Sequence, residues 1–269
     1  MTLVAVTTRS RLRGVRFFPA MLVATVRARR QLARAPGIVR WASVIASPTE
    51  FWTLTVWTSV HELQEFMRSG AHGEVMWKMP RWLRSFWLAR WRPAAAEVGS
   101  WDGLQLRSEA RGELTAREGG VGVDAFLQAL ADGSLTYDES PLVRRSRAQL
   151  AGLGGAVVRI AGSPPTLPLA LRDLRRLRRQ LADEPELIRV FVGVSRFRDA
   201  YLFGVWHRRE AAQRLLDGAW MQRAQERWAD RLWALEWRPE NEFGHWDGAR
   251  MRTYGDVRVR RTARPPSRA

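Results

Sequence analysis

Four histidines, no cysteine and a large excess of arginine bound the chemistry open to this chain. Without cysteine there is no disulfide, no thiolate nucleophile and no Cys-based zinc or iron–sulfur site. His61, His72, His207 and His245 stand apart in the sequence. No H-x-H, H-E-x-x-H or carboxylate cluster at metal spacing accompanies them, so a non-heme metal site is not expected. G-x-S-x-G, P-loop and G-x-G-x-x-G motifs are missing as well, which leaves hydrolase and nucleotide readings without support. His72 has the setting of a ligand. Gly70 and Gly73 flank it, and small neighbours let a flat group approach the backbone. A neutral imidazole is a natural axial ligand for heme iron. A helix-end histidine facing solvent would look the same in sequence. His61 and His207 follow Trp57 and Trp206 where helices begin, and fit surface or capping positions.

Net charge is +17, and Lys78 is the only lysine. A basic surface of this kind suits plain solvation, an anionic membrane, an anionic ligand group such as a heme propionate, or nucleic acid. Fourteen tryptophans imply a wide aromatic core or an aromatic-lined cavity. The motif Trp101-Asp102-Gly103 recurs as Trp246-Asp247-Gly248, each followed by an arginine, Arg107 and Arg252. Asp-Gly makes a tight turn. The aspartate can pair with an arginine, or the two arginines can face a carboxylate on a ligand. Near the N-terminus, Phe17, Phe18, Met21 and Leu22 form an apolar patch among arginines. That is the buried face of a helix, or a basic helix resting on an anionic membrane.

These residues are carried by a repeat. RWLRSFWLARWRP (Arg81 to Pro93) aligns without gaps on RWADRLWALEWRP (Arg227 to Pro239), and Gly70-Ala71 matches Gly218-Ala219. The offset drifts only between 149 and 145. Each copy reads strand, helix, strand, strand, helix, strand. The first strands fall at Leu3 to Thr8 and Ala156 to Ile160. The first helices run near Phe17 to Ala33 and Leu169 to Ala182. Hairpins follow at Ile38 to Ala46 with Glu50 to Trp57, and at Leu187 to Ser195 with Asp199 to Trp206. Second helices start near Ser59 and Arg209. This is the ferredoxin-like order. In the last strands Trp87, Ala89 and Trp91 share a face, as do Trp233, Leu235 and Trp237. The expected fold is α+β: two tandem ferredoxin-like (βαββαβ) repeats packed as a pseudo-dimeric α+β barrel. The first repeat spans 1–107, a connector 108–154 with a helical pattern at Val123 to Ala131, the second repeat 155–253, and a basic tail 254–269.

The segment VWTSVHELQEFMRSGAH (Val56 to His72) resembles the antibiotic-biosynthesis-monooxygenase-like superfamily of dimeric α+β barrels. The shared features are a tryptophan ending the third strand, a W-x-S helix start, an aromatic in the helix and a closing S-x-AH. With FWTLTVW before it and WLARW after it, the first copy is also similar to uncharacterised barrel proteins and to spheroidene monooxygenase. The resemblance covers residues 3–107. In heme-degrading members the closing histidine is the iron ligand, which implies that role for His72. Those members also carry an asparagine on the first strand and a tryptophan about ten residues before the histidine. Here the first strand reads LVAVTT, Glu62 sits near the tryptophan position, and Trp220 replaces the histidine in the second copy. Heme degradation by that route is not implied, and one site per chain is.

The resemblance implies a monooxygenase-like enzyme acting on a hydrophobic aromatic or polyenic small molecule in the barrel lumen, with heme or without a cofactor. Trp57, Trp91, Trp206 and Trp237 are the expected substrate-lining residues. A non-catalytic small-molecule or heme-binding or dimerisation module is the rival, since fold alone does not give function. Single-stranded nucleic-acid binding is a third reading, because basic charge and aromatic rings suit stacking on bases. No apolar run reaches bilayer-spanning length and the N-terminal arginines follow the apolar stretch rather than precede it. A cytoplasmic location is expected.

Overall fold

The computed structural model describes residues 3–106, 149–248 and 250–251. The first half runs β1 (Val4–Leu12), α1 (Phe18–Leu32), β2 (Ile38–Ser47), β3 (Glu50–Trp57), α2 (Val60–Arg68), α3 (Gly70–Trp82) and β4 (Leu83–Gly99). The second runs β5 (Gly154–Ile160), α4 (Leu167–Ala182), β6 (Leu187–Ser195), β7 (Asp199–Trp206), α5 (Arg209–Asp217), α6 (Ala219–Trp228) and β8 (Leu232–Gly244). The strands close into one barrel in the order β1-β3-β2-β6-β7-β5-β8-β4. Within each half the order is that of a ferredoxin-like sheet, with β2 and β4, or β6 and β8, at its edges. The fold class expected from the sequence is the fold observed.

Boundaries differ from expectation in two places. β1 extends to Leu12 because Thr8 to Leu12 continue the ladder, opposite Thr53 to Glu50 on one side and Leu88 to Leu83 on the other. The second helix of each half is two helices. Ser69 and Gly218 are extended, at φ −105 and −80 with ψ near 160, and each ends one helix and opens the next. The repeated Gly-Ala pairs mark these breaks. The helical pattern at Val123 to Ala131, Arg107, Arg252 and the basic tail lie outside the described residues.

The halves meet along two unequal seams. β4 and β8 pair over ten residue pairs, in a register symmetric about Arg92 opposite Arg238: Trp91 faces Pro239, and Pro93 faces Trp237. The prolines sit at register shifts in this ladder, where a missing N–H is tolerated. At its ends Trp87 faces Gly244 and Gly99 faces Trp233. Both glycines have positive φ, +67 at Gly99 and +76 at Gly244. An added Cβ would fall 2.0 Å from the Leu232 carbonyl oxygen and 2.2 Å from that of Phe86. The other seam, β2 with β6, is a single pair, Ile45 opposite Val194.

Strand alternation divides the apolar residues into layers. Inward residues such as Trp52, Leu54, Val56, Trp87, Ala89, Trp91, Phe203, Trp233, Leu235 and Trp237 form one lumen cluster. Outward residues pack under helices. Val4, Val6, Ile38 and Trp57 lie with Val60, Leu63 and Phe66 of α2 in the first half. Val158, Leu202 and Trp206 lie with Leu174, Leu177 and Leu181 of α4 in the second.

Candidate functional site

Among the described residues, aromatic rings pack against one another across the lumen. The Trp52 ring lies 5.2 Å from Phe203, Trp91 5.6 Å from Phe203, and Trp101 4.8 Å from Trp233, centroid to centroid. Two small cavities among the described residues lie near Trp87, Glu242 and Trp246, and near Arg40, Asp102 and Arg159. Each has about 10 Å³ of space, roughly one water. Of the four tryptophans expected to line a substrate lumen, Trp91 and Trp237 are lumen residues, both buried in its aromatic cluster. Trp57 and Trp206 lie outside the barrel, under the helices. The parity of β3 and β7 accounts for this: Trp57 is an odd number of residues from inward Trp52, and Trp206 from inward Phe203.

Two polar locks tie the halves together, and both use the WDG turns. Asp102-Gly103 and Asp247-Gly248 all have positive φ, between 48 and 87, and Trp101 and Leu104 exchange backbone hydrogen bonds across the first turn. That is a two-residue primed turn. Asp247 reaches into the first half, where it accepts from Arg9 Nη2 at 2.7 Å; Glu50 accepts from Arg9 Nε at 2.7 Å. Asp102 reaches into the second half, where Arg159 Nη2 donates to Asp102 at 2.9 Å and to Asp199 at 3.1 Å. Each guanidinium also lies over the tryptophan of that turn, Arg9 over Trp246 and Arg159 over Trp101. Burial works against the charge of Arg159, but Tyr201, Asp199 and Asp102 outweigh it and hold its pKa above the ordinary value. Burial opposes ionisation of Asp247, yet the bonds from Arg9 bring its pKa below the usual range.

A second reciprocal pair sits beside the locks. Glu242 accepts from Trp87 Nε1 at 2.8 Å and from the Met251 backbone N–H at 2.6 Å. Glu97 accepts from Trp233 Nε1 and the Leu106 N–H, both at 2.8 Å. Sequence reasoning missed Arg9, Arg159, Glu97 and Glu242. The signal was present, since these are in-register partners in the repeat at offsets of 150 and 145. These groups are spent on structure.

The helix-covered layers are where the halves diverge. In the second half Trp206 Nε1 donates to Glu184 Oε2 at 2.9 Å. In the first half Ala35 stands where Glu184 would be, and the buried Trp57 Nε1 finds no partner. The Trp57 ring lies 5.1 Å from Phe66, and Phe66 lies 4.7 Å from the His72 imidazole. Thus two of the expected site residues, Trp57 and His72, come together through Phe66, while Trp91, Trp206 and Trp237 are elsewhere.

His72 sits at the start of α3. Gln31 of α1 clamps this link: its Oε1 accepts from the His72 backbone N–H at 2.8 Å, and its Nε2 donates to the Ser69 carbonyl at 3.0 Å. The His72 Nδ1 lies 3.3 Å from the Met67 carbonyl oxygen. That oxygen can only accept, so Nδ1 carries the proton and Nε2 keeps its lone pair. Burial lowers the His72 pKa, the Met67 bond opposing it only in part, and the neutral ring is favoured. None of the described side chains of α3 is buried, whereas α6 buries Met221, Ala224 and Trp228. α3, which carries His72, thus buries fewer of its described side chains than α6 does.

The other histidines do not join it. His61 is exposed on α2, whose N-cap is Ser59, accepting from the Glu62 N–H at 3.2 Å. The His207 backbone N–H donates to the Glu186 carbonyl, and His245 Nδ1 accepts from the Gly248 N–H in the second WDG turn. Among the described residues no group of His, Asp and Glu could hold a metal ion.

A heme iron would ask for a neutral imidazole with its remote nitrogen anchored to a carbonyl. His72 meets that requirement, and the unpartnered Trp57 N–H marks the same layer as incompletely satisfied. On donor chemistry the residues fit. Phe66 of α2 lies against the imidazole, so a flat group would enter only where that ring contact opens.

No family model and no curated protein matches the chain. Among solved structures, aldoxime dehydratase aligns with 89% of this chain and 82% of its own, at 11% identity and a TM-score of 0.53. A candidate monooxygenase from Lactobacillus acidophilus NCFM aligns with 90% of this chain and 96% of its own, at 6% identity and a TM-score of 0.36. A candidate antibiotic biosynthesis monooxygenase from Nitrosomonas europaea aligns with 33% of this chain and 83% of its own, at 15% identity and a TM-score of 0.29. At these identities the likeness is one of fold, an α+β barrel.

Proposed function

We propose that this protein is a monooxygenase-like oxidoreductase for a hydrophobic aromatic or polyenic small molecule. Its site is the helix-covered layer of the first half, where His72 would hold heme iron. The observation that carries this reading is the difference between the two layers: an anchored, neutral His72 beside an unpartnered Trp57 N–H in one, and a satisfied Trp206 in the other. Heme, when bound, would supply the oxygen chemistry that no side chain here provides. The chain's own residues do the rest. The Met67 carbonyl accepts from Nδ1, which leaves the Nε2 lone pair available. Gln31 holds the Ser69–His72 link in place. Phe66 and Trp57 supply an apolar wall that excludes water, and the Trp57 N–H is a donor for a carbonyl or hydroxyl on the guest.

The test is an absorption spectrum of the purified chain titrated with hemin, for wild type and His72→Ala. About one heme per chain in the wild type, with the Soret band lost or shifted in the variant, supports the reading. Absence of binding, or binding unchanged by the substitution, removes His72 as ligand. A second reading, a non-catalytic binding module, is favoured by the aromatic packing across the lumen and by carboxylates already bonded in structural pairs. Heme bound through His72 with no oxygen consumed in the presence of reductant and a polyene would select it.

A further inference from the structure

Outward-facing apolar side chains are concentrated on and just before α1. Val15 is 60% exposed, Leu22 45%, Val23 54% and Val26 39%. Positions 19, 22, 23, 26 and 30 share one face at helical spacing, opposite the buried Met21, Ala24 and Leu32. Arg16, Arg27 and Arg30 are exposed beside the stripe, and α1 carries no acidic residue. On α4 the positions matching 22, 23, 26 and 30, at an offset of 149, hold Leu171, Arg172, Arg175 and Arg179; Leu171 is half-buried against the core, and the one large exposed apolar residue of α4 is Leu169. Both outer helices are thus basic. Only α1 adds an apolar stripe.

We infer that the outward face of α1 is a docking surface for an anionic lipid bilayer. Arginines flanking an aliphatic band match acidic headgroups above an apolar phase, with the helix lying in the interface plane. No helix of the described residues is long and apolar enough to cross a membrane, so this is contact with one leaflet surface. Single-stranded nucleic acid fits the face poorly, because valine and leucine offer no ring for bases to stack on. α1 also carries Gln31, which holds the His72 link. If the proposed site is correct, docking would set its cover beside the lipid; the docking surface itself does not depend on that site.

The test is co-sedimentation of the full chain with phosphatidylcholine vesicles, with and without phosphatidylglycerol. Three variants are compared, each checked for native circular dichroism and melting: Leu22→Ser/Val23→Ser/Val26→Ser, Arg16→Gln/Arg27→Gln/Arg30→Gln, and Arg172→Gln/Arg175→Gln/Arg176→Gln. The wild type should bind only the anionic vesicles. The serine variant should bind at least about tenfold more weakly, and the α1 arginine variant about fivefold more weakly per charge removed. The α4 variant, with the same loss of charge, should bind nearly as the wild type. Equal loss from the α4 variant would reduce the effect to net charge and overturn the inference, as would a serine variant that binds undiminished. A wild type that ignores vesicles but forms a dimer broken by the serine substitutions would assign the face to a second copy of the chain and overturn it too.

Discussion

The two helix-covered layers begin from the same sheet, the same helix order and the same tryptophan at the end of the third strand. They end in different states. In the second half Glu184 satisfies Trp206, Leu174, Leu177 and Leu181 seal α4 onto the sheet, and α6 buries three side chains. In the first half Ala35 leaves Trp57 without an acceptor, α3 buries none of its described side chains, and α1 turns valines outward. The features that join the halves are conserved between them, whereas the features that cover each half are not. The proposed site rests on this contrast between an unsealed layer and a sealed one.

This contrast can be broken at four points. The largest effect should come from the symmetric seam. Gly99→Ala and Gly244→Ala each drive a Cβ into a backbone carbonyl at positive φ, and each should cost about 3 kcal/mol or more in urea unfolding. Clearly unequal losses would mean that the seam is not shared evenly by the halves. Next, Glu242→Ala leaves the indole of Trp87 and the Met251 N–H unpaired in a buried site and should cost about 3 kcal/mol. Glu97→Ala removes the same two bonds at a half-buried position and should cost about half as much. Equal costs would show that burial does not set the difference.

The third point is the indole itself. Glu184→Ala should make the second layer resemble the first and lower stability by about 1–2 kcal/mol. Ala35→Glu should give Trp57 an acceptor and weaken hemin binding in the wild-type titration. An unchanged hemin affinity would separate the Trp57 N–H from the site. The smallest effect is the pH dependence of His72. Its folded pKa lies below the unfolded value, so the unfolded chain binds the proton first as pH falls. The stability from the neutral ring is fully present above the unfolded pKa and is lost on acidification toward the folded one, at no more than about 1.4 kcal/mol per pH unit. His72→Gln should flatten that slope between about pH 7 and 5, and an unchanged slope would assign it to another group.

Much of the fold was legible because repetition and parity are local signals. β3, β6 and β7 fall where alternation put them, and Trp87, Trp91, Trp233 and Trp237 share the inward face read from their spacing. The site was less legible. Strands apolar on both faces do not announce which face is inside, so spacing alone does not separate Trp57 and Trp206 from Trp91 and Trp237, which point the other way. Whether the lumen is open depends on summed side-chain volumes, which no motif records. The locks were half visible: each WDG showed an aspartate needing a cation, but only three dimensions reveal that Asp102 serves Arg159 and Asp247 serves Arg9, each in the opposite half.

The long pairing of β4 with β8 has a consequence for the chain cut in two. Each half folded alone would expose that strand as a bare edge, 17 residues long in β4, with a ladder of unpaired backbone groups. Such an edge recruits whatever strand is nearest. A separated half would therefore find another copy of itself or precipitate, and the intact chain stays free of that fate because each sticky edge arrives with its own permanent cover.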